Sequence, residues 1–207
     1  MNTNSLLQEA MQLKATADIG LLYNTNPYDR ERYEAIRETS LRLMALAGSH
    51  DLQTINDSFL PVTDYPTAKV DIRALILSPG GEILLAKESA DERWSLPGGW
   101  ADVGGSPAEN IVKEFREETG LEVIPERLLA VFDKAKHPHP PQAEYVYKMV
   151  FLCKAFTHTI KPGFDVLDVQ FFSLDNLPPL SENRILKSQI ELAYQLAQDD
   201  NSKTYFD

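Results

Sequence analysis

One cysteine, Cys153, stands in 207 residues. Alone it excludes an internal disulfide and suits a reducing compartment. Its apolar setting, Val150 to Phe156, reads as that of a buried thiol rather than a nucleophile. No window approaches the roughly 18 apolar residues of a spanning helix. The stretch MNTNSLLQEAMQLKA lacks the basic-then-apolar order of a secretion signal. A cytoplasmic protein with no membrane partner is the expectation. Runs of lysine and arginine are also missing, and the formal net charge is −11. Such a surface repels a polyphosphate backbone, so nucleic acid is not an expected partner. A small phosphorylated substrate stays open, because bound divalent cations invert the local sign; otherwise the acidity serves solubility alone. No G-K-[ST] follows any glycine loop, which excludes a P-loop kinase.

The chain divides by pattern. Residues 5–23 carry Leu6, Leu7, Ala10, Met11, Ala17 and Leu21 at helical spacing. After Asn26-Pro27 a second helix shows Tyr33, Ile36, Leu41 and Met44, with Gly48 as its stop. Residues 49–68, with Pro61 and Pro66, read as a linker. Residues 1–64 thus form a helical unit too small for a core of its own. It is expected to cover its stripes in a homodimer and border the substrate pocket; packing on its own chain is the alternative. From residue 69 the pattern changes, and residues 65–207 are read as the main domain. Val70 to Leu77 and Ile83 to Ala86 read as strands around the turn Pro79-Gly80-Gly81. A glycine-rich loop (97–105) precedes a helix (107–119). Strand-like runs follow at 121–135, 144–156 and 167–173. A last helix over 181–198 has Ser181 as its expected cap, and the tail after 199 is expected to fray.

Residues 96–123 read LPGGWADVGGSPAENIVKEFREETGLEV. Ser106 at N-cap, Pro107 at N1 and Glu109 at N3 fix a helix start, and Gly120 fixes its end. Ile111, Val112 and Phe115 point one way. Glu114 and Glu118, four apart, lie one above the other on the opposite side, and Glu117 joins them. Like charges at this spacing cost roughly 0.2–0.5 kcal/mol on an exposed helix. A hard divalent cation removes that cost, and oxygen donors suit magnesium or manganese rather than zinc. The competing reading is a solvated face with Lys113 and Arg116 as partners.

The preceding loop favours the first reading, because the stretch resembles the Nudix box, Gx₅Ex₇REUxEExGU, where U is a bulky aliphatic residue. Gly99, Glu114, Glu117, Glu118, Gly120 and Leu121 match, and Phe115 fills the middle U loosely. Two positions depart. Gly105 stands at the first glutamate, and Lys113 replaces the arginine that holds a box glutamate in the family. Lysine keeps the charge but not the bidentate geometry. The spelling LPGGWADVG, with glycine at that glutamate, resembles the subfamily of hydrolases of X-linked nucleoside diphosphates. Its members carry a helical N-terminal extension and include enzymes acting on ADP-ribose and on CDP-choline.

The resemblance implies an α+β fold: a Nudix α/β/α sandwich with a mixed β-sheet between the catalytic and C-terminal helices, plus the small N-terminal helical unit. It implies hydrolysis of the form NDP-X + H₂O → NMP + X-phosphate with Mg²⁺, for which Mn²⁺ can substitute. ADP-ribose is the first substrate expected and CDP-choline the second. A Nudix-fold sensor without catalysis is the reading from another class; its sign would be a broken glutamate cluster, and all three glutamates are present. Glu114 and Glu118 are the implied principal metal ligands, with Glu117 and the carbonyl of Gly98 completing the set. The general base is sought outside the helix, at Asp165, Asp168 or Glu144, or at Glu117 itself.

Substrate contacts are read from position. Trp94 and Trp100 flank the loop; each suits a stacked base and each suits a core. Arg73 and Lys87, on the first two strands, can reach phosphate or pair on the surface. His137 and His139 sit between prolines in KHPHPPQ, a stiff loop of the kind that carries recognition. With no third ligand nearby they make a poor metal site. Glu144, just beyond, is grouped with these contacts as well as with the bases.

Overall fold

Pro27 decides where the N-terminal helices part. Its missing N–H is harmless only in a first helical turn, so α1 (Thr3–Tyr23) ends before it and α2 (Pro27–Gly48) begins on it. The Asn26 side chain accepts the Tyr28 N–H at 3.0 Å and secures that start. The computed structural model describes residues 3–48, 51–57, 59, 65–157 and 159–207. They fall into two units: residues up to Ala68 together with Pro140–Tyr145, and Lys69–His139 together with Val146–Asp207.

In the first unit, Leu7 and Ala10 of α1 meet Leu41, Met44, Ala45 and Ala47 of α2 in a buried cluster. Leu6 and Met11 pack at its margin, as does Ala143 from the 140–145 segment. A third helix, α3 (Leu52–Asp57), contributes the buried Ile55. It lies where a linker was expected. Asp51 starts it by accepting the Thr54 N–H at 2.9 Å, a cap that competes well with an extended path. Pro61 lies outside the described residues. The ring of Tyr33 packs on the bare backbone of Gly20, where any Cβ would strike it. Ile36, expected in the apolar stripe, is exposed.

The second unit holds two sheets. β1 (Lys69–Leu75) pairs in parallel with β5 (Val146–Ala155), and β5 pairs antiparallel with β4 (Val123–Asp133). A two-residue β7 (Tyr205–Phe206) adds in parallel to β4. In the second sheet β2 (Ile83–Glu88) lies between β3 (Trp94–Ser95) and β6 (Val166–Phe172), all antiparallel. Helix α4 (Pro107–Thr119) buries Ile111 and Phe115 among Ile72, Ala74, Phe151 and Cys153. Helix α5 (Lys187–Gln198) buries Ile190 and Ala193 among Leu75, Ala130, Phe132 and Val150. Successive strand residues face opposite ways, so the β1–β5–β4 sheet lies between the two helices. The layering is that of the α/β/α sandwich.

Two expectations are corrected at the C-terminal end. Helix α5 starts at Lys187, not 181. The Ser181 hydroxyl donates to Asp91 at 2.6 Å, and the Ser181 carbonyl closes a turn with the N–H groups of Arg184 and Ile185. The tail does not fray. The Arg127 guanidinium donates to the carbonyls of Leu196 (2.7 Å), Asp199 (2.9 Å) and Ser202 (3.3 Å), and β7 extends the sheet.

Candidate active site

Helix α4 begins and ends where its cap residues dictate. The Ser106 hydroxyl accepts the Glu109 N–H at 3.2 Å while the Glu109 carboxylate accepts the Ser106 N–H at 2.8 Å. Gly120, at φ 72°, returns its N–H to the Arg116 carbonyl at 3.0 Å. The chain before α4 lies alongside β1. Ala74 N–H donates to Pro97 O (3.0 Å), Ile72 N–H to Gly99 O (2.8 Å) and Ala101 N–H to Val70 O (2.9 Å). Among the described residues this ladder leaves the Gly98 carbonyl unused. Gly98 has φ 134°, and a Cβ there would overlap the carbonyl oxygen of Ile72, so only glycine fits.

Both box glutamates lie against this glycine backbone. The Gly98 N–H donates to Glu118 Oε2 at 2.8 Å. A Cβ on Gly99 would stand 3.1 Å from Glu114 Oε2. Burial pushes the Glu118 carboxyl up to about 8, with Glu88 and Glu114 adding to the rise and Arg73 opposing it. Glu114 is raised as well, by burial first and then by Glu117. Two carboxylates whose charge is penalised, beside a cradle too narrow for a side chain, fit a hard divalent cation. Glu117 is half exposed and 3.9 Å from Lys113 Nζ. Among the described residues no three acidic, histidine or cysteine side chains converge on one point. Adjacent helix residues point different ways, and the hydrogen bond to Gly98 holds Glu118 on the loop side.

Beneath the loop lies a buried charge network absent from the sequence reading. The Arg73 guanidinium grips Asp71 with two 3.0 Å bonds and donates to Leu96 O at 3.0 Å. It also stands 3.6 Å from Glu88. Lys148, only 1% exposed, donates to Asp71 Oδ1 at 2.6 Å. Arg184 reaches Glu88 at 3.1 Å, and Ser95 donates to Glu88 at 2.5 Å. Burial raises Asp71, but Arg73 and Lys148 outweigh it and hold the carboxyl at about 2. Arg184 also stands 3.7 Å from Asp91, so three cations face three carboxylates. A sequence signal existed: Asp71 and Arg73 are two apart in a strand and share one face of an otherwise apolar run.

The other expected site residues scatter. Every guanidinium nitrogen of Arg73 is engaged inside the network. Lys87 stands opposite Trp94 on β3 and Asp168 on β6. Trp94 packs edge-on against Phe172, centroids 4.7 Å apart, in the α5-side core. Trp100 is half exposed, with Lys69 Nζ 5.3 Å from its ring centroid. His137 pairs with Asp207 at 3.0 Å and stands edge-on to Phe132. His139 is buried, its Nδ1 at 2.6 Å from Glu182 O, and Nε2 has no partner among the described residues. Burial pulls its pKa down to about 4. Asp168 accepts from the Val169 N–H (2.8 Å) and the Gln170 amide (2.6 Å). Asp165 is exposed, and Glu144 belongs to the other unit. The segment before Asp165 ties to α4: Lys161 N–H donates to Thr119 O at 2.8 Å and Gly163 N–H to Glu118 O at 2.9 Å. A Cβ on Gly163 would overlap the Glu117 carbonyl oxygen.

A capped helix bearing these glutamates, set against a glycine loop between two sheets, is the working part of a Nudix domain, and residues 67–192 match the model of that domain. The chain belongs to the Nudix hydrolase family. Residues 4–59 match a second model, a UDP-X-like N-terminal oligomerisation domain. A Bacillus subtilis protein, YjhB, whose given name is that of an ADP-ribose pyrophosphatase, is 40% identical over 97% of this chain and 96% of its own length. The crystal structure of an ADP-ribose pyrophosphatase from Streptococcus suis is 39% identical, with TM-score 0.62, over 68% of this chain and all of its own. The structure of a UDP-X diphosphatase is 38% identical, with TM-score 0.64, over the whole of both chains. No helix among the described residues is long and apolar enough to cross a membrane.

Proposed function

We propose that this Nudix hydrolase cleaves ADP-ribose to AMP and ribose 5-phosphate. The observation that carries the site reading is the pair Glu114 and Glu118 laid against the Gly98–Gly99 backbone. The near-full-length likeness to YjhB supports the substrate. Nudix hydrolases generally use a divalent metal such as Mg²⁺. Glu114, Glu118 and the Gly98 carbonyl would hold it, with Glu117 nearby. When bound, the ion neutralises the diphosphate oxygens and stabilises the charge that develops as the bond breaks. Glu117, Asp165 and Asp168 are the candidates to take the proton of the attacking water, with Glu144 a further one. Trp100 is the candidate to stack on the base, which its half-exposed position on the loop supports. Arg73 acts from below: its bond to Leu96 O fixes the approach to Gly98, and its charge opposes the protonation of Glu118.

A second reading keeps the reaction and changes the nucleoside. The likeness to a UDP-X diphosphatase supports a uridine compound, and CDP-choline remains the cytidine candidate. The N-terminal helices are assigned to homodimer formation and to selection of X, supported by the match to an oligomerisation domain. The single thiol suits the cytoplasm. The test is hydrolysis of ADP-ribose, UDP-glucose, CDP-choline, NADH and 8-oxo-dGTP with Mg²⁺ or Mn²⁺, with products identified. AMP and ribose 5-phosphate as the fastest products uphold the first reading. Release of inorganic pyrophosphate from the triphosphate alone would overturn both, and tight binding without turnover would point to a sensor.

A further inference from the structure

The box departs from its family pattern at Gly105 and Lys113, and the structure shows what replaces the missing pair. Lys113 Nζ lies 2.6 Å from Asp102 Oδ2 and 3.9 Å from Glu117 Oε2. Asp102 sits in the glycine loop ahead of α4, and its place there is built. The Asn110 amide, 4% exposed, donates to Asp102 O at 3.0 Å and to Gly105 O at 3.2 Å. One residue of α4 thus fixes the turn while another takes its carboxylate.

A lysine ammonium is a compact charge on a flexible stem, and on a helix its near neighbours are the residues three and four away. For Lys113 the neighbour four on is Glu117, already 3.9 Å away. Left without Asp102, the ammonium would close on that carboxylate and compete with any cation for it. We propose that Asp102 is a positioning residue that holds Lys113 at 2.6 Å, so that the ammonium stays 3.9 Å from Glu117 instead of closing on it and leaves that carboxylate open to a divalent cation. This rests on the Nudix metal reading above.

Mn²⁺ binding to the full-length, metal-free protein, measured by calorimetry without substrate, tests it. Asp102→Ala should weaken binding about fivefold, the order of an exposed ion pair, and leave the melting temperature nearly unchanged. Asp102→Ala with Lys113→Met should recover it, because the competitor is gone. Glu109→Gln makes the same change of charge four residues before Lys113, at a carboxylate bound to the Ser106 N–H instead of to Lys113, and should stay within about twofold of wild type. Unchanged affinity in Asp102→Ala, no recovery in the double variant, or an equal loss in Glu109→Gln would each overturn the proposal. A wild-type protein that binds no Mn²⁺ would overturn the metal reading itself, and this inference with it.

Discussion

Two sets of charges flank the same glycine loop, and they have opposite characters. Below it, Asp71, Arg73, Glu88 and Lys148 are all buried; the first three each have at least two polar partners, and Lys148 is bonded to Asp71. Above it, Lys113, Asp102 and Glu117 stand at 44%, 60% and 49% side-chain exposure, the two carboxylates joined only through Lys113. Water screens the upper set, so those side chains can move at little cost. The lower set has no such freedom. Removing one member strands the rest, because charges taken out of water depend on each other. The loop is therefore held from its rigid side and adjusted from its mobile one. Glu118 stands between the two, buried like the first set yet adjacent to Glu117 of the second.

The comparison is broken most directly by Arg73→Met. It leaves Asp71, Glu88 and Leu96 O short of a partner, and urea unfolding should show a loss of roughly 3–5 kcal/mol. A loss below about 1 kcal/mol would place the lower set in the same class as the upper. Next comes Glu118→Gln. Its amide oxygen can still accept from Gly98, so the fold should hold, while turnover falls at least about a hundredfold, or roughly 3 kcal/mol of barrier. Near-normal turnover would remove Glu118 from the site.

His139 extends the rule to a neutral buried group. Its pKa is about 4 in the fold against an ordinary 6.5, so the unfolded chain takes up the proton first as pH falls. Stability from this residue is complete above about 6.5 and is lost progressively toward 4. The full loss is at most about 3 kcal/mol. Unfolding free energies of wild type and His139→Asn, compared at pH 7 and pH 4.5, should converge at the lower pH. The smallest effect belongs to the exposed set: Asp102→Asn should shift unfolding by less than about 1 kcal/mol.

Helix α4 was legible to the residue because its signals are local: Ser106, Pro107, Glu109 and Gly120 fix both ends without help from the rest of the chain. The Nudix family and the sandwich followed from the loop and glutamates beside it. What escaped was tertiary. β3 and β7 have two residues each, too few for any periodicity, and exist because β2 and β4 offer them an edge. Ser181 has the chemistry of a helix cap but spends its hydroxyl on Asp91, 90 positions away. Arg73 reads as a phosphate or surface contact because a lone arginine in a strand is usually at the surface; its partners Glu88 and Leu96 O are brought to it only by the fold. The 140–145 segment reads as loop in sequence, yet Ala143 packs with α1 and α2.

The short β7 has a consequence for how the molecule behaves in a crowd. An uncovered edge strand invites the edge of another sheet, which is how soluble domains begin to polymerise. β4 would be such an edge along its whole length. Two residues of β7 occupy Ala130 and Val131, and the Asp207 carboxylate takes the Asp133 N–H at 2.6 Å. Further back, Pro125 offers no donor, and Arg127 draws the 196–202 turn against the strand. The tail thus acts as a guard against aggregation, far from the glutamates and independent of the chemistry they serve.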